Sequence, residues 1–184
     1  FTLLLTADSQ SAERLEQELG FFAPELSVLH FPDWETLPYD QFSPHQDIIS
    51  QRIASLYRLP ELSRGVLVVP ITTALHRLAP TRFLLGTSLV LDVGQKLNVE
   101  QMRTRLESAG YRCVDTVYEH GEFAVRGALI DLFPMGSELP YRIDLFDDEI
   151  ETLRTFDAET QRSIDKVESI RLLPAREFPL DKKA

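Results

Sequence analysis

One cysteine in 184 residues, Cys113, excludes an internal disulfide framework, so a hydrophobic core must hold the chain and a reducing cytoplasm is its expected compartment. No apolar run is longer than Val66 to Val69, far short of the roughly 20 residues a membrane helix needs, so no membrane contact is expected. Basic residues are scarce as well: 19 Lys and Arg stand against 29 Asp and Glu, for a net charge of −10. Nucleic-acid binding draws on Lys and Arg that neutralise phosphates, so the chain is a poor free-standing DNA binder. The 8 glycines are scattered and none precedes a lysine, so neither a phosphate-binding loop nor a dinucleotide fingerprint can be built from them. Histidines 30, 45, 76 and 120 stand alone and are expected in loops or at the surface, and no metal site is expected. No serine sits in a nucleophile elbow. No catalytic residue and no cofactor are expected.

What is present is core material. With 43% apolar and 26% charged residues the chain suits one large domain or two small ones. It opens at Phe1 directly on "FTLLLT", a strand, without a basic leader or a cleavage pattern, as an excised piece of a longer chain would. Asp8 or Ser9 can cap the next helix, in which Ala12, Leu15 and Leu19 recur at helical spacing before Gly20 closes it. "LSVLHFP" reads as a strand, and "DIISQRIASLYRL" as a helix with Ile49, Ile53, Leu56 and Leu59 on one face. "RGVLVVP" reads as a strand buried on both faces, and "TTALHRLA" as a short helix stopped at Pro80. Such alternation predicts a parallel sheet covered by helices.

Near residue 88 the pattern changes. In "LNVEQMRTRLESAGY", Asn98 is a helix cap with Gln101 as its capping-box partner, Leu97 and Met102 form a hydrophobic staple, and Gly110 marks the end. Only strand signals follow: "YRCVDTVY", "EFAVRGALIDLFP", "YRIDLF", "EIETLRTF" and "VESIRLL", with turns at 119–121, 136–137 and 147–148. The expected class is α/β plus α+β: a partial parallel α/β domain over 1–88, a small domain with one main helix and an antiparallel sheet over 89–175, and an exit segment at 176–184. Cys113 is expected to be buried as a small hydrophobe. "IDLFDDE" imitates a magnesium-holding strand and carboxylate, but Asp147-Asp148 reads better as a hairpin turn. In "EFAVRGALIDLFP", Arg126 and Gly127 interrupt an apolar strand, which fits either a bulged edge or a recognition surface. In "YRIDLF", alternation sets Tyr141, Ile143 and Leu145 on one face and Arg142, Asp144 and Phe146 on the other. With the apolar set in the core, Phe146 faces solvent beside Arg142, the composition of a protein-binding hot spot.

Two long stretches, "DWETLPYDQFSPHQDIISQRI" and "GEFAVRGALIDLFPMGSELPYRIDLFDDEIETLRTFD", closely resemble the N-terminal module of the bacterial transcription-repair coupling factors and, more distantly, the excision-repair protein UvrB. The likeness covers nearly the whole chain. It implies that residues 1–88 form a degenerate helicase-like domain and that 89–175 form the domain by which these proteins bind UvrA. By that likeness Arg126 of "VRG", Arg142 of "PYR" and Phe146 of "LFDDE" fall on the UvrA-facing surface, with Gly127 letting the strand bend or a partner's backbone approach. Arg154 and Glu149 are further candidates whose face the hairpin register leaves open. The implied function is a non-catalytic recruitment module. Its implied partners are UvrA, other domains of a parent chain, and RNA polymerase and DNA only through that parent. Two readings compete. An ATP-binding fragment of a helicase-type enzyme would need the missing phosphate loop. A damaged-DNA-binding domain like UvrB conflicts with the charge and with "LPYDQFSPHQD" running straight into a helix, without room for UvrB's DNA-engaging hairpin.

Overall fold

The computed structural model describes residues 1–36 and 41–178. Part of "LPYDQFSPHQD", at 37–40, and the exit segment from 179 onward lie outside the described residues. The chain begins with β1 (Thr2–Thr6) and α1 (Ser9–Phe22), and the Asp8 carboxylate caps α1 by accepting the Ser11 N–H at 2.7 Å. Gly20 does not close this helix. Glycine ends a helix by taking left-handed backbone, which Gly20 does not adopt, so α1 runs on to Phe22 and leaves Phe21 and Phe22 exposed. β2 (Val28–His30), α2 (Gln46–Arg58) and β3 (Val66–Pro70) follow.

β3 is the middle strand of a three-stranded parallel sheet in the order β1-β3-β2, and all five of its residues are buried. The reason is layering on both faces: Ala12, Leu15 and Leu19 of α1 cover Val66 and Val68, while Leu56 of α2, with Leu59 and Leu62, covers Leu67 and Val69. "TTALHRLA" is helical only over α3 (Ile71–Ala74). Pro80, read from the sequence as a stop, instead stands at the N-cap of α4 (Thr81–Thr87), where its fixed φ suits a helix start.

The second half contains β4 (Leu89–Asp92), α5 (Val99–Ser108), β5 (Arg112–Cys113), β6 (Glu122–Arg126), β7 (Leu129–Leu132), β8 (Tyr141–Phe146), β9 (Glu149–Phe156), β10 (Ser163–Val167) and β11 (Ser169–Leu172). Asn98 caps α5 as expected, its side chain accepting the Gln101 N–H at 2.9 Å. β10-β9-β8-β7-β6-β5 form one sheet, antiparallel except for the parallel β5–β6 pair, while β4 and β11 make a separate ladder. The inner face carries Ile130, Ile143 and Leu153 against Met102 and Leu106 of α5. The same apolar cluster takes in Ile53 of α2 and Leu84 of α4. The sheets separate near residue 88, but the core does not.

Three expectations change here. "YRCVDTVY" is a strand only at Arg112–Cys113, too short to sustain alternation, and Cys113 is exposed. "EFAVRGALIDLFP" is a hairpin: Arg126 pairs with Leu129 and leaves a two-residue turn at Gly127-Ala128. Gly127 has φ of 64°, as the first central position of a type II′ turn requires, and a Cβ placed there would meet nothing within 4 Å. The dihedral demands glycine, and crowding does not; Gly127 marks neither a bulge nor a close approach. Finally, the start of the exit segment is anchored to the body through one side chain, while Arg176 and Phe178 beside it stay exposed. Glu177 is buried, with Oε1 accepting from Arg52 Nε at 2.5 Å and Oε2 from Trp34 Nε1 at 2.8 Å.

Candidate functional site

Residues directly opposite in paired strands point to the same side of a sheet. The register therefore builds the outer face of the six-stranded sheet row by row. One row, across β6 to β10, reads Ala124, Asp131, Arg142, Arg154 and Lys166. The next reads Arg126, Leu129, Asp144 and Thr152. Phe146 and Glu149 close the β8–β9 hairpin as a pair beyond it. All five residues singled out from the sequence lie in these rows, and the pairing settles the face of Arg154 and Glu149 that alternation alone left open.

Asp131 organises this face. Its side chain is 1% exposed, yet it accepts from Arg142 Nε at 2.7 Å, from Arg142 Nη2 at 3.0 Å and from Arg126 Nη2. Those hydrogen bonds push the Arg142 guanidinium above its already high value, so it stays charged. Arg142 also donates to the Gln161 carbonyl at 3.2 Å and lies 4.8 Å over the ring of the buried Phe156. Its side chain is only 16% exposed, against 49% for Arg126. Arg142 is thus largely fixed by the fold, whereas Arg126 presents its remaining donors to solvent. Asp131 was missed in the sequence, although an aspartate inside "ALIDLFP" is a charge on an apolar strand and so demands a buried cation.

Phe146 is 70% exposed at the hairpin tip, where Asp147 turns the chain with φ of 54°. The 147–148 turn is as expected, with Lys96 bound to Asp148 at 3.0 Å and holding its carboxyl below the usual range. Ile143 and Leu145 are buried on the opposite face. Beside Arg126 and Arg142, the residues Thr116, Tyr118, Leu129 and Gln161 complete a shallow cleft of about 520 Å³. Tyr118 and Gln161 come from outside the strands, and no local periodicity signals them. The face combines an exposed aromatic, a partly free arginine and a mixed cleft, which suits a protein surface better than a small molecule.

Parallel α/β sheets hold their ligands in the region after the carboxyl ends of the strands, here beyond β2 and β3. Here the chain's own side chains fill it. Asp33 accepts from Thr73 at 2.8 Å, Trp34 stacks on His76 with centroids 4.5 Å apart, and the buried Arg52 lies 4.6 Å over Trp34. Burial pulls the Arg52 guanidinium down, and Glu177 opposes the shift. His76 and His120 lie in loops as expected but are half-buried, His120 lying 4.0 Å from Phe133 and bonding both Asp47 and Ser137, whereas His30 departs from the expectation as the half-buried last residue of β2. Among the described residues no three His, Cys, Asp or Glu side chains group as a metal site, and no helix is long and apolar enough to cross a membrane.

Residues 89–178, which hold this face, match the family model described as the UvrB interaction domain. From end to end the chain is homologous to one stretch of the transcription-repair-coupling factors. It is 58% identical over 182 residues to that of Escherichia coli, 52% to that of Haemophilus influenzae, and 31% over 175 residues to that of Bacillus subtilis, covering 99%, 99% and 95% of this chain. The chain spans only 16%, 16% and 15% of the length of these relatives.

Proposed function

We propose that the chain is a non-catalytic recruitment module that binds UvrA and thereby brings nucleotide excision repair to stalled RNA polymerase. The observation that carries this reading is the outer face of the matched domain, where exposed Phe146 stands one row beyond an arginine pair pinned on buried Asp131. Arg126, Arg142 and Phe146 are its principal contacts, with Arg154 and Glu149 flanking them. Self-filling of the crevice by Trp34, His76 and Arg52 supports the non-catalytic assignment over nucleotide binding. RNA polymerase and DNA are reached through the longer parent, whose other domains contact this face intramolecularly and mask it.

The test is titration of the 184-residue chain with purified UvrA, alongside ATP and a DNA duplex. Saturable binding to UvrA alone is the expected result. Micromolar ATP binding, or damage-selective duplex binding near physiological salt, would replace this function with one of the competing readings.

A further inference from the structure

The row Asp131, Arg142, Arg154, Lys166 holds three cations directly opposite one another on adjacent strands. Like charges so placed lower stability. Asp131 is engaged by Arg142 and Arg126 and reaches no further along the row. Among the described residues Arg154 has only Asp144, at 3.6 Å from its Nη2, and that carboxylate is already bonded by Thr152 at 2.7 Å. The Nε of Arg154 is buried without a hydrogen-bond partner among the described residues. Lys166, on the outermost strand, is exposed and in no ion pair among the described residues. A chain of net charge −10 thus keeps an uncompensated cationic end on this one row.

Resting on the proposed UvrA-binding function, we infer that the partner's footprint extends from Phe146 across the strands to Arg154 and Lys166. There it meets an acidic ridge of the partner protein, bearing carboxylates about 5 Å apart to match the strand spacing. A protein fits better than nucleic acid. Asp144 and Glu149 share the face and repel phosphates, while Leu129, Tyr118 and Phe146 offer apolar contact that a phosphate backbone cannot use.

The experiment is UvrA titration of Lys166→Glu, Lys166→Gln and Arg154→Gln at low and high salt, with Arg77→Glu as a control of equal charge change on an exposed loop of the first half. Lys166→Glu should weaken binding by about tenfold at about 50 mM salt and by less than about threefold at 0.5 M, because screening erases a rim charge. Lys166→Gln and Arg154→Gln should weaken it less, and Arg77→Glu hardly at all, with every melting curve retained. If the Lys166 and Arg154 variants bind like the unmodified chain at low salt while Phe146→Ala still weakens binding, this inference fails together with the flanking role of Arg154, and UvrA recruitment through Arg126, Arg142 and Phe146 stands. If the unmodified chain does not bind UvrA, both fall. If a short DNA duplex binds the chain and Lys166→Glu abolishes it, phosphate is the occupant and the inference is overturned.

Discussion

Arg126 and Arg142 bond the same carboxylate, but they should differ sharply in what their removal does to folding. Arg142→Ala takes two hydrogen bonds from Asp131, leaving a carboxylate that is 1% exposed with the single bond from half-exposed Arg126. Removing one partner of a buried pair costs about 3–5 kcal/mol when the other charge is left alone. The remaining Arg126 reduces this to about 2–3 kcal/mol, and lost stacking on Phe156 restores roughly 0.5 kcal/mol of cost. Arg126→Ala leaves Asp131 with both Arg142 bonds and removes only an exposed partner, which costs about 0.2–1 kcal/mol.

For a chain of this size each kcal/mol shifts the melting temperature by about 2–4 °C, so Arg142→Ala should melt about 5–14 °C lower and Arg126→Ala about 0.5–4 °C lower. Urea unfolding followed by circular dichroism gives the same comparison at fixed temperature. Equal midpoints for the two variants would refute the argument, because they would show that Asp131 does not depend on the more buried arginine. Coupling provides a second check. In an Asp131→Asn background, Arg142→Ala should cost clearly less than it does alone.

Phe146→Ala should change the melting temperature by no more than about 2 °C, since an exposed side chain adds little to the core, while weakening UvrA binding roughly thirtyfold. Gly127→Val should destabilise by at least about 1–2 kcal/mol through its φ of 64°, and Gly127→Asn by less; equal urea midpoints would refute the turn assignment. Glu177→Gln, which leaves the fully buried Arg52 without its counter-charge, should destabilise by about 3 kcal/mol in the same assay. Burial favours the neutral acid of Glu122, but the N–H groups of Tyr118 and Glu119 and the Arg112 guanidinium outweigh it and hold the carboxyl below its ordinary 4.5. Its contribution is complete above that value and is lost as pH falls through the lowered one, so Glu122→Gln should flatten the acid side of the melting-temperature profile.

Much of this architecture is legible locally. β8 lies where period-two alternation puts it, and Asn98, Asp8 and the 147–148 turn act through bonds spanning a few residues, whereas a register shift against Asp144–Leu145 breaks the alternation of β9. The failures share one cause: the deciding interaction is distant in sequence. Pro80 reads as a stop until Leu84 is seen in a core with Ile53 and Leu91. The tail reads as an exit until Glu177 is found beneath Trp34, 143 residues earlier in the chain. "EFAVRGALIDLFP" hides a hairpin because Gly-Ala is a weaker turn signal than Asn-Gly. On the outer face, alternation placed Phe146 and Arg142 together, but only strand register could bring Arg154 and Lys166 into their row.

That register also explains why a binding face contains a buried carboxylate. A free arginine loses about 2 kcal/mol of rotamer entropy when a partner fixes it. Asp131 has already fixed Arg142, and in part Arg126, so that cost falls on folding, where the closed Phe156 and Gln161 contacts offset it. Binding then has to order only the outward donors of Arg126, the ring of Phe146 and the cations farther along the row. Affinity at this face should accordingly depend on groups that solvent still reaches, and stability on those it does not. A substitution that moves binding without moving the melting curve therefore identifies a contact residue, and one that moves both identifies a member of the Asp131 network.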